Sequence, residues 1–363
     1  MTGLFDGVGR RLLFTLDPET AHGLSIKALK CGLPPVRPAP KDPRLAIRVA
    51  GIDLPNPLGM AAGYDKNGEV PDAILSLGFG FAEIGSVTPR PQPGNPKPRI
   101  FRLERDGAVI NRLGFNNEGH DACAARLVAR HGRSGIVGVN IGANKDSTDR
   151  IADYEAGVKR FAPLGSYLTV NISSPNTPGL RNMQARTELG ELLARVVSAR
   201  GALADAQHRA RPIFLKIAPD LSDPELEDIA AEVLAHPIEG VIVSNTTLSR
   251  DGLVETAQAK EAGGLSGKPL FARSTIVLAK MRRLLGSEIA IVGVGGVDSA
   301  ETALEKIRAG ADLVQLYTGL IYGGLALPGR ILRDMLKILD RDGIKTVAAL
   351  RDTRTGHWAA QPL

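Results

Sequence analysis

Cysteine, aromatic side chains and long apolar runs are all scarce in this chain, and each shortage removes a class of protein. Its 363 residues hold only two cysteines, Cys31 and Cys123, far apart and outside any CxxC or Cys/His cluster. That spacing argues against a disulfide framework, an iron–sulfur site or a structural zinc, and fits a reducing compartment. The six histidines are scattered and no HExxH occurs, so no metal is expected. Aromatic residues make up 4% of the chain, with no Lys/Arg run interleaved among them. A stacking platform for nucleic acid is therefore not expected. No stretch approaches the roughly 20 apolar residues of a membrane span, and the first residues lack the h-region and cleavage site of a signal peptide. The expectation is a soluble body, at most lying on a membrane.

What is present is ordinary in bulk and unusual in arrangement. Hydrophobic content of 43% with 23% charged residues suits a full core without disorder. A formal charge of +6 leaves open a phosphate-bearing ligand, an anionic substrate, an anionic membrane or merely a solvated basic surface. At the start, Leu4, Phe5, Val8, Leu12, Leu13 and Leu16 recur at helical spacing, with Arg10 and Arg11 off that stripe. Asp17 then stands as an N-cap with Pro18 at the first helical position. A second helix runs through "ETAHGLSIKALK" and stops at Gly32, before Pro34-Pro35. Residues 1–33 thus read as two short amphipathic helices, and residues 34–43 as a proline-rich strap. The pair is either a cap packed on the core or a lipid-facing surface.

Beyond the strap the chain repeats an apolar, β-rich run followed by helical sequence. The runs are 56–62, 80–87, 135–142, 166–173, 212–219, 240–246, 289–297 and 313–319. Their near-continuous apolar character suits parallel strands covered on both faces. Eight such units predict an α/β fold, a (β/α)8 TIM barrel over residues 44–345, with a C-terminal tail at 346–363 for which the sequence offers no role. "PRIFRLE" and "AVINRLG" predict a β-hairpin inserted between the second and third units, and "IRVAGIDLPN" a hairpin plugging the barrel bottom.

In such a barrel the strand ends meet on one face, where active sites form. Here those ends read "AAGYDKNG", "GSVTPRP", "NIGANKD", "NISSPNTPG", "KIAPD", "SNTT", "GVGGVDS" and "YTG". All are polar or glycine-rich, which solvation alone does not explain. The glycines after the seventh and eighth strands offer free backbone N–H groups, the usual phosphate site of these barrels. "GGLSGKPL" at 263–270 reads as a further glycine-rich loop able to close over a phosphate. Lys216 ends the fifth strand and needs an acceptor in the barrel mouth, such as the pyrimidine end of a flavin. A phosphate-tailed cofactor lying across the mouth follows, and FMN fits its width. Asn111, Asn140, Asn171, Asn176 and Asn245, with Lys66 and Thr246, form a field of donors and acceptors without a carboxylate cluster. That set suits a flat, anionic, amide-rich ring such as a carboxylated pyrimidine.

Taken together, "AAGYDKNG", "INRLGFNN", "NISSPNTPGLR", "KIAPDL", "SNTT", "GGLSGKPL" and "VGVGGVDS" resemble the dihydroorotate dehydrogenase family along almost the whole chain. The N-terminal helices, and a serine where the soluble class carries cysteine, resemble its membrane-associated, quinone-reducing class. The resemblance implies oxidation of dihydroorotate to orotate in pyrimidine synthesis, with one FMN per subunit. It implies Ser174 as the base at C5 while hydride passes from C6 to flavin N5, with Thr177 and Phe115 holding a relay water. It implies substrate contacts from Lys66, Asn171, Asn176, Asn245, Thr246 and the stretch Asn111, Arg112, Leu113, Gly114, Phe115. It implies FMN contacts from Ala62, Gly63, Lys66, Ser86, Asn140, Asn171, Lys216 and Ser244, and from Gly267, Gly296, Tyr317 and Thr318 at the phosphate. Ser86 and Ser244 stand where a threonine is commoner, and the hydroxyl is retained.

For the second half-reaction the resemblance implies a tunnel between the N-terminal helices for ubiquinone, with His22, Arg102 and Tyr317 at its polar end. A surface position for His22 is the plainer alternative. The implied setting is peripheral, on the cytoplasmic face of a bacterial inner membrane, as a monomer. The rival readings are a soluble fumarate- or NAD-linked relative, a sugar-phosphate isomerase or aldolase, and a non-enzymatic flavin or lipid binder.

Overall fold

A computed structural model of the chain describes residues 9, 12–33, 37–203 and 210–363. Leu4, Phe5, Val8, Arg10 and Arg11 of the expected first helix, and Pro34 and Pro35 of the strap, lie outside the described residues. Residues 12–15 are helical. The second helix, Pro18–Lys30, begins as expected: the Asp17 carboxylate accepts from the Glu19 and Thr20 amides, with Pro18 in the first turn. It ends in Cys31 and Gly32, the latter at φ 71°.

Eight parallel strands close into a barrel: Leu58–Met60, Phe81–Val87, Ile136–Ile141, Tyr167–Asn171, Ile213–Ile217, Gly240–Val243, Ala290–Val294 and Leu313–Leu316. Each falls within one of the eight apolar runs. Helices follow and cover them, for example Arg150–Phe161, Arg186–Gly201, Asp223–Ala235 and Ala300–Arg308. Several start on the caps that their sequence spells. Ser222 and Glu225 form a capping box, Asp149 caps with its carboxylate, and Ser299 pairs with Thr302.

The barrel floor is closed by large rings lying over glycines. A Cβ on Gly59 would meet the Phe81 ring at 2.2 Å, one on Gly138 the Tyr167 ring at 2.0 Å, and one on Gly240 the Phe214 ring at 2.5 Å. Tyr167 sits edge-on to both Phe81 and Phe214. Alternating small and large residues on neighbouring strands let the rings fill the taper without voids. Below them the antiparallel hairpin Ile47–Val49 and Ile52–Leu54 packs Val49 and Leu54 into the same cluster, which is the expected plug.

Two features depart from the sequence reading. The inserted hairpin, Ile100–Leu103 with Ala108–Asn111, gains a third strand. Gly264–Gly267, expected as a loop, pairs antiparallel with Ala108–Asn111 from Asn111 to Ala108. A non-local partner supplies the order that glycine-rich sequence does not encode. The last residues also form structure, a turn at Val347–Leu350 and a helix at Thr355–Ala359. They pack on the barrel helices through Trp358, which meets the Phe271 ring edge-on and donates to Glu305 at 2.7 Å.

Gly138→Ala is expected to displace the Tyr167 ring and to destabilise the fold by about 1–3 kcal/mol through overpacking. A thermal melt beside Gly201→Ala, where a Cβ meets nothing, checks this. Equal midpoints for the two variants would refute the floor packing.

Candidate active site

The C-terminal ends of the strands open into one cavity of about 930 Å³. It runs from amides and lysines at the barrel mouth, past a glycine-lined wall, to apolar residues of the N-terminal segment. Its polar floor is organised around Glu83, which is 0% exposed in the middle of the second strand. One Glu83 oxygen accepts from Asn140 Nδ2 at 2.8 Å; the other accepts from Tyr167 OH at 3.0 Å and Gln315 Nε2 at 2.9 Å. Three donors answer a carboxylate that burial would otherwise penalise heavily.

From Asn140 the network climbs to the cavity. Ser86 donates to Asn140 Oδ1, and Asn171 Nδ2 bonds both Ser86 Oγ at 2.9 Å and Asn140 Oδ1 at 3.1 Å. Ser173 Oγ donates to Asn171 Oδ1 at 2.9 Å and accepts from Asn245 Nδ2 at 2.9 Å. Tyr154 OH donates to the Asn171 carbonyl at 2.6 Å, pinning the end of the fourth strand. Each amide is thereby fixed in orientation, which a binding site for a planar polar ring requires.

Ser174 follows at the turn, 6% exposed, with its hydroxyl accepting from the Asn176 amide at 3.2 Å. No histidine among the described residues bonds it. Arg181 secures the turn, donating to the Ser173 carbonyl at 3.0 Å and the Thr246 carbonyl at 2.8 Å while pairing with Asp220 at 2.9 Å. Across the cavity Asn176 Nδ2 approaches Asn111 Oδ1 at 3.4 Å. Phe115 beside them has φ 53°, and its ring lies against Gly142. The buried Thr246 hydroxyl has no partner among the described residues.

Two lysines, Lys66 and Lys216, line the barrel mouth, and Lys268 lines the glycine wall. Lys216 is buried and takes no protein acceptor among the described residues; burial lowers its pKa, and the Glu83 charge opposes that. Burial likewise lowers Lys66 to about 8. The wall beyond is a cradle of glycines with positive φ: Gly267, Gly295 and Gly296. A Cβ on Gly267 would meet the Gly107 carbonyl at 2.3 Å, so only glycine leaves this backbone open. Tyr317 and Thr318 start the short helix after the eighth strand on the same wall.

The apolar arm is lined by residues including Leu12, Leu13, Phe14, Leu16 and Leu24. Where it meets the cradle, His22 Nδ1 and Tyr317 OH are 3.2 Å apart, and Tyr64 stands edge-on to both rings. Burial lowers His22 to about 3, so its imidazole is neutral. Arg102 also lines the arm, but its guanidinium is committed to backbone: it donates to the carbonyls of Leu13, Phe14 and Leu16 and stacks on Phe14. Arg99 grips Glu19 with two bonds of 2.7 and 3.0 Å and so ties the second helix to the inserted sheet. No helix among the described residues is long and apolar enough to cross a membrane.

Of the sequence-predicted residues, Lys66, Asn111, Leu113, Gly114, Phe115, Asn171, Ser174, Asn176, Asn245 and Thr246 line the cavity. So do Ala62, Gly63, Ser86, Lys216, Ser244, Gly267, Gly296, Tyr317, Thr318, His22 and Arg102. Three do not. Asn140 lies one layer below, under Ser86 and Asn171. Thr177 is buried behind the Ser174 turn. Arg112 turns away, pairing with Glu261 at 2.7 Å and stacking on Phe101. Sequence reasoning missed Glu83, although a charge inside a run buried on both faces was a signal that partners must surround it. It also missed Arg181 and the Arg99–Glu19 pair, which join segments far apart in sequence.

A closed parallel barrel with buried amides, two lysines and a glycine cradle at its C-terminal mouth is the architecture of a (β/α)8-barrel enzyme acting on an anionic ligand. Residues 44–339 match the family described as dihydroorotate dehydrogenase. A dihydroorotate dehydrogenase (quinone) of Mesorhizobium japonicum is 68% identical over 360 residues, covering 99% of each chain. One of Brucella ovis is 64% identical over 363 residues, covering 100% of each. Among solved structures, ligand-free dihydroorotate dehydrogenase of Eimeria tenella superposes with a TM-score of 0.89 at 39% identity, covering 93% of this chain and 99% of that one. Its complex with ferulenol gives 0.88, covering 93% and 95%. The chain belongs to the dihydroorotate dehydrogenase family, in its quinone-dependent class. It is an oxidoreductase and flavoprotein of pyrimidine biosynthesis.

Glu83→Gln leaves at least one of the three donors unanswered and is expected to cost about 1–3 kcal/mol. Tyr167→Phe removes one of those donors, so in the double variant the two losses should be less than additive. Denaturant midpoints of the four proteins measure the coupling; strict additivity would contradict it.

Proposed function

We propose that the chain oxidises dihydroorotate to orotate with Ser174 as the base, FMN as the hydride acceptor and ubiquinone as the final oxidant. What supports this is the single cavity that joins an amide-lined pocket, a glycine cradle and an apolar arm. The residues fit a flavin mononucleotide. Lys216 opens into the cavity as a buried ammonium in need of an acceptor, and the cradle leaves backbone free where an anion can approach. Ala62, Gly63, Lys66, Ser86, Asn140, Asn171, Lys216 and Ser244 would hold the ring side, Asn140 doing so through Ser86 and Asn171. Gly267, Gly296, Tyr317 and Thr318 would hold the phosphate. With FMN bound, N5 of its ring is the acceptor for the hydride that leaves C6 of the substrate.

The remaining work belongs to side chains. Asn111, Asn176, Asn245 and Thr246 present amides and an unpartnered hydroxyl to the substrate ring. Lys66 pairs with its carboxylate, and that anion favours the charged form which burial opposes. Asn111 to Phe115 form one wall, with Arg112 contributing backbone while its guanidinium stays with Glu261. Ser174 Oγ takes the C5 proton as its own hydroxyl proton passes to a water between Thr177 and Phe115. Burial within a network of neutral amides keeps that proton path short and excludes bulk water.

Ubiquinone enters along the apolar arm to the neutral His22 and Tyr317. Leu12, Leu16, Leu24 and Leu33 are exposed at its edge and suit a lipid surface. The protein acts as a monomer, peripheral on the cytoplasmic face of the inner membrane. Residues 1–33 serve the membrane, 34–43 link, 44–345 carry the chemistry and 346–363 brace the barrel.

The direct test is anaerobic: dihydroorotate should bleach the bound flavin and a ubiquinone analogue should restore its colour. A colourless protein, or one reoxidised by fumarate and not by quinone, would overturn the assignment. Ser174→Ala is expected to slow flavin bleaching by several orders of magnitude while orotate still binds, as stopped-flow absorbance can show. Removing residues 1–33 is expected to preserve bleaching and to lower quinone turnover. Unchanged quinone turnover in the truncated protein would sink the role of the apolar arm.

A further inference from the structure

Lys306, on helix Ala300–Arg308, is 0% exposed and does not line the cavity. Its ammonium donates to Ser274 Oγ at 2.9 Å and Thr275 Oγ1 at 3.0 Å, and stands 5.0 Å from the centre of the Phe271 ring. No carboxylate pairs with it among the described residues, and burial pushes its pKa down to about 7. Charged groups on the surrounding elements are engaged elsewhere. Arg273 is held by Pro219 and Asp220, Lys280 by Asp223, and Arg282 by Asp312 and Gly310. Glu305 pairs with Arg354 and Arg308, and Asp298 faces Lys268. Glu301 and Arg283 are exposed.

The position is unfavourable on a second count. Phe271, Ser274 and Thr275 form the start of helix Phe271–Leu285, whose N-terminal end carries partial positive charge. A desolvated cation against the positive end of a helix, with no counter-ion among the described residues, points to an anion close by. The adjacent wall is the glycine cradle. Ser274 Oγ lies 3.3 Å from the Gly295 carbonyl, a Cβ on Gly295 would meet that hydroxyl at 2.8 Å, and one on Gly296 would meet Phe271 Cβ at 2.5 Å. Ser274 and Phe271 thus link the ammonium to the backbone of Gly295 and Gly296.

We propose that Lys306 is a positioning residue for the anionic end of the cofactor, its ammonium buried behind the glycine cradle as the counter-charge to a phosphate bound on the other side. It acts through Ser274 and Phe271, which set the cradle, and through its field across that one layer of side chains. The inference rests on the reading that this cradle holds the FMN phosphate. A bound anion favours the ammonium, so Lys306 keeps its proton to higher pH in the loaded protein than in the empty one. The Lys306 contribution to FMN affinity is therefore level below pH about 7 and falls as pH rises above it, by up to about ten-fold per unit. The phosphate's own titration, near pH about 6, lies below that window.

The experiment dilutes holoenzyme at several pH values and reads released flavin by its fluorescence, with riboflavin as a phosphate-free competitor. Lys306→Met is expected to weaken FMN binding about ten-fold at neutral pH, to abolish the fall above pH 7 in its preference for FMN over riboflavin, and to leave riboflavin binding, with any slope from Lys66, unchanged. If wild type binds FMN and riboflavin equally, the phosphate reading itself fails. If wild type prefers FMN and Lys306→Met keeps both the preference and the pH slope, the role of Lys306 fails. Should Lys306→Met not fold, wild type decides alone: an FMN affinity flat from pH 7 to 9 overturns the proposal.

Discussion

A single carboxylate, buried with no cation bonded to it among the described residues, ties the mouth of this barrel to its floor. Glu83 is satisfied only while Asn140, Tyr167 and Gln315 all point inward to it. Tyr167 can do so because Gly138 leaves room for its ring, and Asn140 in turn orients Ser86 and Asn171 at the cavity. The same charge is the one that opposes the desolvation of Lys216. Ring packing at the bottom and amide geometry at the top are therefore one problem with one solution, since an unanswered charge at that depth costs more than any single contact returns.

The barrel was legible because its strands are buried on both faces, so eight apolar runs stand out against helical and polar intervals. The polar strand ends were legible for the complementary reason, amides and lysines being costly at the last buried turn unless a ligand meets them. What escaped the sequence depends on distant partners. "GGLSG" has little of the β-branched character of a strand and becomes one through register with Ala108–Asn111. The direction of Arg112 is decided by Glu261, far along the chain, and the last helix by contacts of Trp358 with Phe271 and Glu305. Side-chain direction and non-local pairing leave no local period to read.

Polarity divides the cavity between the two ends of the chain's architecture. Barrel strands supply amides and ammonium groups, while the N-terminal segment supplies leucines and a neutral imidazole. The segment is held by Ile26 and Leu29, which pack into the main core, and by ionic and backbone contacts at its margins. Arg99 grips Glu19, and Arg102 gathers the carbonyls at the end of the first helical turn. An arm built in this way stays hollow while its walls stay fixed.

Tyr317 belongs to both halves of that space. Its backbone leaves the eighth strand beside the cradle, and its hydroxyl meets His22 on the N-terminal helix. Under the proposed function, this one side chain would border both a guest among the leucines and a guest on the cradle. The colour of a flavin held on the cradle would then be a gauge of who occupies the other room.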